Sequence, residues 1–185
     1  SCSFRVAEIP TTNMKHETRN SKRLNASRFT GFEQDQWLQL AVRALARSDR
    51  TTAQIERLLA VKGASPAQTR AAVRRLIGLR YLDDVAFAAR LADRRLARMP
   101  MGRARLEEEL RATGCPEHIV HATLRATYRK VSEQDLAMQV VSMAGQGNST
   151  QKIGRLARLL NQRGFDEDTI ETVVGPLMRD ERRSA

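Results

Sequence analysis

Three glycines, Gly63, Gly114 and Gly164, stand 51 and 50 residues apart, and the apolar residues around them repeat with them. Eight positions before each glycine stand Ile55, Leu106 and Leu156; four before stand Leu59, Leu110 and Leu160. Ten positions after stand Val73, Leu124 and Val174. Offsets of four and eight fall on one face of a helix, and a glycine just beyond that face marks a left-handed helix end. Self-similarity at a fixed period signals a repeat architecture, in which units cover their neighbours' apolar faces. The pattern predicts an all-α chain, an elongated and curved array of three tandem three-helix modules.

Composition agrees with this. Alanine, leucine and arginine dominate and favour helix, only five prolines occur in 185 residues, and no run of alternating β-branched residues argues for a sheet. The expected organisation is a flexible basic arm over 1–32, modules over 33–80, 81–129 and 130–179, and a frayed tail over 180–185. Helix starts are expected at TTAQ (51–54) and SPAQ (65–68), both of capping-box form, the second with Pro66 at the first helical position. Further starts are expected at Asp83, Gly102, Cys115-Pro116, Ser132, Ser149 and Asp166. GQGNS (145–149) reads as the most flexible internal connection.

Thirty-two Lys and Arg against 21 Asp and Glu give a formal net charge of +11. Such a surface attracts polyanions: nucleic acid, an acidic membrane face or an acidic protein. Two cysteines, Cys2 and Cys115, in unrelated contexts indicate no disulfide framework and fit a reducing cytoplasm. No stretch approaches the length of an apolar membrane span, so no membrane partner is expected.

Catalytic signatures are missing. The sequence has no GxxxxGK[ST] phosphate loop, no GxGxxG after a strand and no recognised nucleophile motif, so neither enzyme activity nor a cofactor is expected. The nearest approach to a metal site is CPEHIVH, with Cys115, Glu117, His118 and His121. There the core face is set by Ile119, Val120, Thr123 and Leu124, which turns both histidines outward. The adjacent carboxylates of YLDDVAF (81–87) read as a helix start. Asp83 is the N-cap, Asp84 meets the helix dipole, and Leu82 and Phe87 form a hydrophobic staple. Phe165, Asp166 and Ile170 repeat the device.

The arginines are harder to absorb into structure. The helix expected over 66–80 carries Arg70, Arg74, Arg75 and Arg80 with no acidic residue. Arg90, Arg94, Arg95 and Arg98 are opposed in their own helix only by Asp93 once it is under way, and Arg103 and Arg105 open the next. Lys152, Arg155, Arg158 and Arg163 repeat the theme in the third module. Like charges at i, i+4 destabilise an isolated helix, so a run without acidic neighbours predicts a binding surface. The candidates are Arg70, Arg74, Arg90, Arg94, Arg95, Arg98, Arg103, Arg105, Lys152, Arg155 and Arg158. Base stacking is not expected, because Trp37, Tyr81, Phe87, Tyr128 and Phe165 fall mostly at core or junction positions.

Four stretches resemble the RecX family of regulatory proteins: ALARSDRTTAQIERLLAVKG (44–63), YLDDVAFAARLADRR (81–95), GRARLEEELRATGC (102–115) and RLARLLNQRGFDEDTIETVV (155–174). Their order and spacing, with YLDDxxF between the first two modules, carry the resemblance. It implies a non-enzymatic modulator, acting as a monomer, whose partner is the RecA filament on single-stranded DNA. It further implies suppression of ATP hydrolysis and strand exchange, with direct DNA contact in some members. The alternative from the residues alone is a DNA-binding architectural or regulatory protein built from helix-turn-helix-like modules. The short connection GQGNST and the basic arm depart from the family pattern.

Overall fold

The computed structural model describes residues 36–144 and 150–184, with side chains over 36–144 and 153–179. The basic arm, GQGNS with the start at Ser149, and the Lys152 side chain lie outside the described residues. The described chain is helical throughout: α1 (36–47), α2 (Thr52–Val61), α3 (Pro66–Gly78), α4 (Asp84–Arg98), α5 (Arg103–Ala112), α6 (Glu117–Lys130), α7 (Glu133–Met143), α8 (Thr150–Gln162) and α9 (Glu167–Ser184).

The helices pack in threes around three hydrophobic cores. Ala41 of α1, Ile55 and Leu59 of α2, and Val73 and Leu76 of α3 form the first. Phe87 and Leu91, Leu106 and Leu110, and Val120 and Leu124 form the second. Leu136 and Val140, Ile153 and Leu160, and Val174 form the third. The residues that repeat around the glycines are thus the ones the cores bury. Leu156 is the exception, only half-buried where Ile55 and Leu106 are fully covered.

Both capping boxes form. Thr51 and Ser65 each accept the N–H of the residue three positions on, and Gln54 and Gln68 reach back to the cap N–H groups. Asp83 accepts from Ala86 N at 2.9 Å and Asp166 from Thr169 N at 2.8 Å. Gly102, Pro116 and Ser132 stand at the other N-caps without a side-chain cap bond. All three glycines are left-handed, with φ of 94°, 82° and 78°.

Three expectations need correction. Leu82 packs in the first core and Phe87 in the second, so the two residues divide between cores instead of stapling one turn. Arg80, the fourth arginine of the helix expected over 66–80, is not helical; α3 stops at Gly78, and Arg80 takes a left-handed conformation at φ 61°. The backbone after residue 179 continues α9 to Ser184, because RDERR contains good helix formers and no breaker.

A charged and clasped surface

Two adjoining triplets meet through the same device each time. The glycine turn of the later triplet lies on the N-terminus of the middle helix of the earlier one. At the first junction, the Thr51 hydroxyl donates to the Thr113 carbonyl at 2.7 Å, next to Gly114. At the second, Gly102 N donates to the Arg163 carbonyl at 2.9 Å and Ala104 N to the Gly164 carbonyl at 3.3 Å. A carboxylate from the first helix of the later triplet completes each contact. Asp84 Oδ1 accepts from Thr52 N at 2.8 Å, and Glu133 Oε1 accepts from Arg103 N at 2.7 Å. The N-terminal N–H groups of α2 and α5, which have no partner within their helices, are therefore capped from the next triplet.

This clasp explains the acidic pair at 83–84 without chemistry. Asp83 caps its own helix, while Asp84 caps α2, a role that sequence reasoning missed. A signal was available: an acidic residue opens both α4 and α7, 49 positions apart. Aromatic Tyr128, also missed, supports the second junction. Its hydroxyl donates to the Met101 carbonyl at 3.1 Å, and the Arg103 guanidinium lies 5.2 Å from its ring centroid. Burial raises the Tyr128 hydroxyl well above the ordinary phenol value.

Helix geometry places the basic side chains. Burial of Phe87, Ala88, Leu91 and Ala92 turns Arg90, Arg94, Arg95 and Arg98 of α4 outward. Burial of Thr69, Ala72, Val73 and Leu76 does the same for Arg70 and Arg74 of α3. The expectation that acidic partners are missing fails for four candidates: Arg90, Arg95 and Arg103 meet acids from other elements, and Arg105 meets acids of its own helix. Arg90 grips Asp49 with two bonds, Nε to Oδ2 at 2.8 Å and Nη2 to Oδ1 at 3.0 Å, which holds its guanidinium proton more tightly than usual. Glu109 sits between Arg95, at 2.7 Å, and Arg105, at 3.5 Å; Arg105 also pairs with Glu108 at 2.8 Å. Arg103 Nε lies 3.9 Å from Glu133.

Arg70, Arg74, Arg94 and Arg98 differ. They are exposed and have no ion-pair partner among the described residues. In α8, Arg158 Nε donates to the Gly154 carbonyl at 3.1 Å, and Arg155 is engaged within the protein. Arg163 points back to the second triplet, with Nη1 3.4 Å from the Pro100 carbonyl.

The CPEHIVH segment builds no metal centre. Among the described residues no three His, Cys, Asp or Glu groups are placed to hold an ion. Arg111 holds Glu117 with bonds of 2.8 and 3.0 Å and keeps its carboxyl below the usual range. Cys115 is buried beside the Thr113 hydroxyl at 3.3 Å, and burial pushes its thiol up, away from the thiolate that metals bind. No helix among the described residues is long and apolar enough to cross a membrane.

No protein-family model matches the chain. It is 30% identical over 135 residues to the regulatory protein RecX of Trichlorobacter lovleyi, covering 70% of this chain and 88% of the relative. It is also 30% identical over 146 residues to the regulatory protein RecX of Chlorobaculum tepidum, covering 76% and 88%. Among solved structures, RecX from Lactobacillus salivarius superposes with a TM-score of 0.69 at 17% identity, over 80% of this chain and 97% of that one. A second RecX crystal structure gives 0.69 at 19% identity, over 87% and 80%. These structural likenesses establish a shared helical-repeat fold.

Proposed function

Because the chain belongs to the RecX family of regulatory proteins, we propose that it binds the RecA filament on single-stranded DNA and restrains it. The observation that carries this reading is the set of exposed arginines without acidic partners, Arg70, Arg74, Arg94 and Arg98, on a rigidly clasped helical-repeat scaffold. Paired arginines serve the fold first; unpaired ones on the helices outside it serve a polyanionic surface. A repeat array that touches several filament subunits at once gains avidity from geometry, with no single strong contact required. Occupancy of the filament then suppresses ATP hydrolysis and strand exchange. No chemistry by this chain is needed, and the protein acts as a cytoplasmic monomer without a cofactor.

Charge reversal at Arg94 and Arg98 tests the reading, since neither side chain contributes an ion pair among the described residues. The folded double variant should inhibit filament ATPase several-fold more weakly than the parent. Equal inhibition by both proteins removes these arginines from the mechanism. Direct DNA binding is the competing reading, and the same arginines would serve it. It requires naked DNA to be bound as tightly as the filament, with log affinity falling steeply against log salt. Tight filament binding beside feeble naked-DNA binding rejects it.

A further inference from the structure

Arg80 is the one non-glycine residue among those described that has a positive φ. It follows Leu79, the C-cap of α3, and so takes the place that Gly63, Gly114 and Gly164 fill after α2, α5 and α8. The hydrogen bonds are those of the same motif. Arg80 N donates to the Ile77 carbonyl at 3.0 Å and Tyr81 N to the Leu76 carbonyl at 2.9 Å. In this conformation an L side chain crowds its own backbone, and glycine does not. The chain therefore accepts a steric cost at 80 that it avoids at the three equivalent turns. An observed outlier of this kind points towards function.

Beyond the backbone bonds of the turn, no hydrogen bond or ion pair of the Arg80 side chain among the described residues offsets that cost. Arg80 is exposed and has no ion-pair partner among the described residues. The two carboxylates that line the same cavity each accept a backbone N–H instead, Asp83 from Ala86 and Asp84 from Thr52. Around it stand apolar side chains that the core leaves out: Ile77, Leu79 and Tyr81 are 49%, 54% and 55% exposed. An open cavity of about 350 Å³ lies beside them, lined by Thr52, Ile77, Arg80 and Leu82 with both aspartates.

We propose that Ile77, Leu79, Arg80 and Tyr81 form a protein-docking surface at the first junction. Its partner is a polypeptide that sets a carboxylate against Arg80 and apolar side chains against Ile77 and Leu79. Aliphatic groups gain by burial against other apolar atoms, which a phosphate backbone does not offer, while arginine and tyrosine are the residues that anchor protein interfaces. The surface is distinct from the outward arginines of α4 and rests on the filament reading, in which the protein subunit of the filament supplies the polypeptide.

The test uses the full chain, Arg80→Gly and Leu79→Ser, with RecA–single-stranded DNA filaments and naked single-stranded DNA as probes. Arg80→Gly relieves the turn, so its melting temperature should equal or exceed the parent's while filament affinity falls roughly five- to tenfold. Leu79→Ser should weaken filament binding likewise, and both variants should bind naked DNA as the parent does. Unchanged filament affinity in a folded Arg80→Gly protein overturns the surface. So does an equal loss on naked DNA, which would make Arg80 a phosphate contact. Failure of the parent itself to bind filaments is a different result, because it overturns the filament reading.

Discussion

The Asp84 carboxylate accepts the backbone N–H of Thr52 at 2.8 Å, from 32 residues further along the chain. One side chain at the start of α4 thereby caps the start of α2. Glu133 does the same for Arg103 at 2.7 Å across the second junction. A hydrogen bond to a charged acceptor is stronger than one between neutral groups, and each removes a helix-end donor from an unmet state.

Adjacent aspartates should therefore separate by role. Asp83→Ala removes a local cap and should cost about 1 kcal/mol. Asp84→Ala should cost about 1–3 kcal/mol, because it leaves the half-buried Thr52 N–H without an acceptor and loosens the junction. Chemical denaturation of both variants checks this. A larger loss in Asp83→Ala would mean that the junction bond contributes little.

The glycines should divide by surroundings and not by dihedral alone. Nothing lies within 4 Å of a Cβ built at Gly63, so Gly63→Ala should cost only the conformational penalty, about 1–2 kcal/mol. A Cβ at Gly164 would collide with the backbone of Arg105, and one at Gly102 with the Gly164 carbonyl. Those substitutions should cost well over 3 kcal/mol, roughly the level of severe core changes. Gly154, inside α8 with open space around it, should gain about 0.5–1 kcal/mol on replacement by alanine. Thermal melts of the four variants give the ranking.

Asp166 supplies an acid-dependent share of stability. Its hydrogen bonds with Thr169 hold the carboxyl below its ordinary value, and partial burial opposes this weakly. A depressed folded-state pKa contributes stability that is complete above the unfolded carboxyl value and is lost as pH falls through the folded one. Asp166→Ala should thus lower the melting temperature at neutral pH. The gap from the parent should close as pH falls through that depressed folded-state value. A gap constant from pH 7 to pH 2 would show that ionisation at Asp166 does not matter.

Removal of the Tyr128 hydroxyl should cost about 0.5–1.5 kcal/mol, the usual range for a neutral hydrogen bond, by unpairing the Met101 carbonyl. Tyr128→Phe keeps the ring under Arg103. Tyr128→Leu should cost more, since it also removes that cation contact. Denaturation curves of the pair separate the two contributions.

Much of the fold was legible because it depends on short-range rules. The glycine period, the capping residues and the apolar positions at offsets of four and eight located the helices and most of the buried residues. Ile119, Val120, Thr123 and Leu124 are buried as their spacing implied, and His118 and His121 face outward. The charged surface was legible only in outline. Counting acids within α4 suggested that Arg90 and Arg95 lacked partners, but Asp49 and Glu109 reach them from other elements, as Glu133 reaches Arg103; Arg105 pairs with Glu108 and Glu109 inside its own helix.

The sequence alone determined what each residue does to its own helix, because caps, periodicity and left-handed glycines act within about four positions. Only the tertiary structure decided which carboxylate serves which helix. Asp83 and Asp84 are identical in chemistry and adjacent in the chain, yet one caps its own α4 and the other caps α2. Which arginines remain for a partner was decided in the same way. Ion pairs form where folding brings charges together, and a distance of 41 residues between Asp49 and Arg90 leaves no local pattern to read.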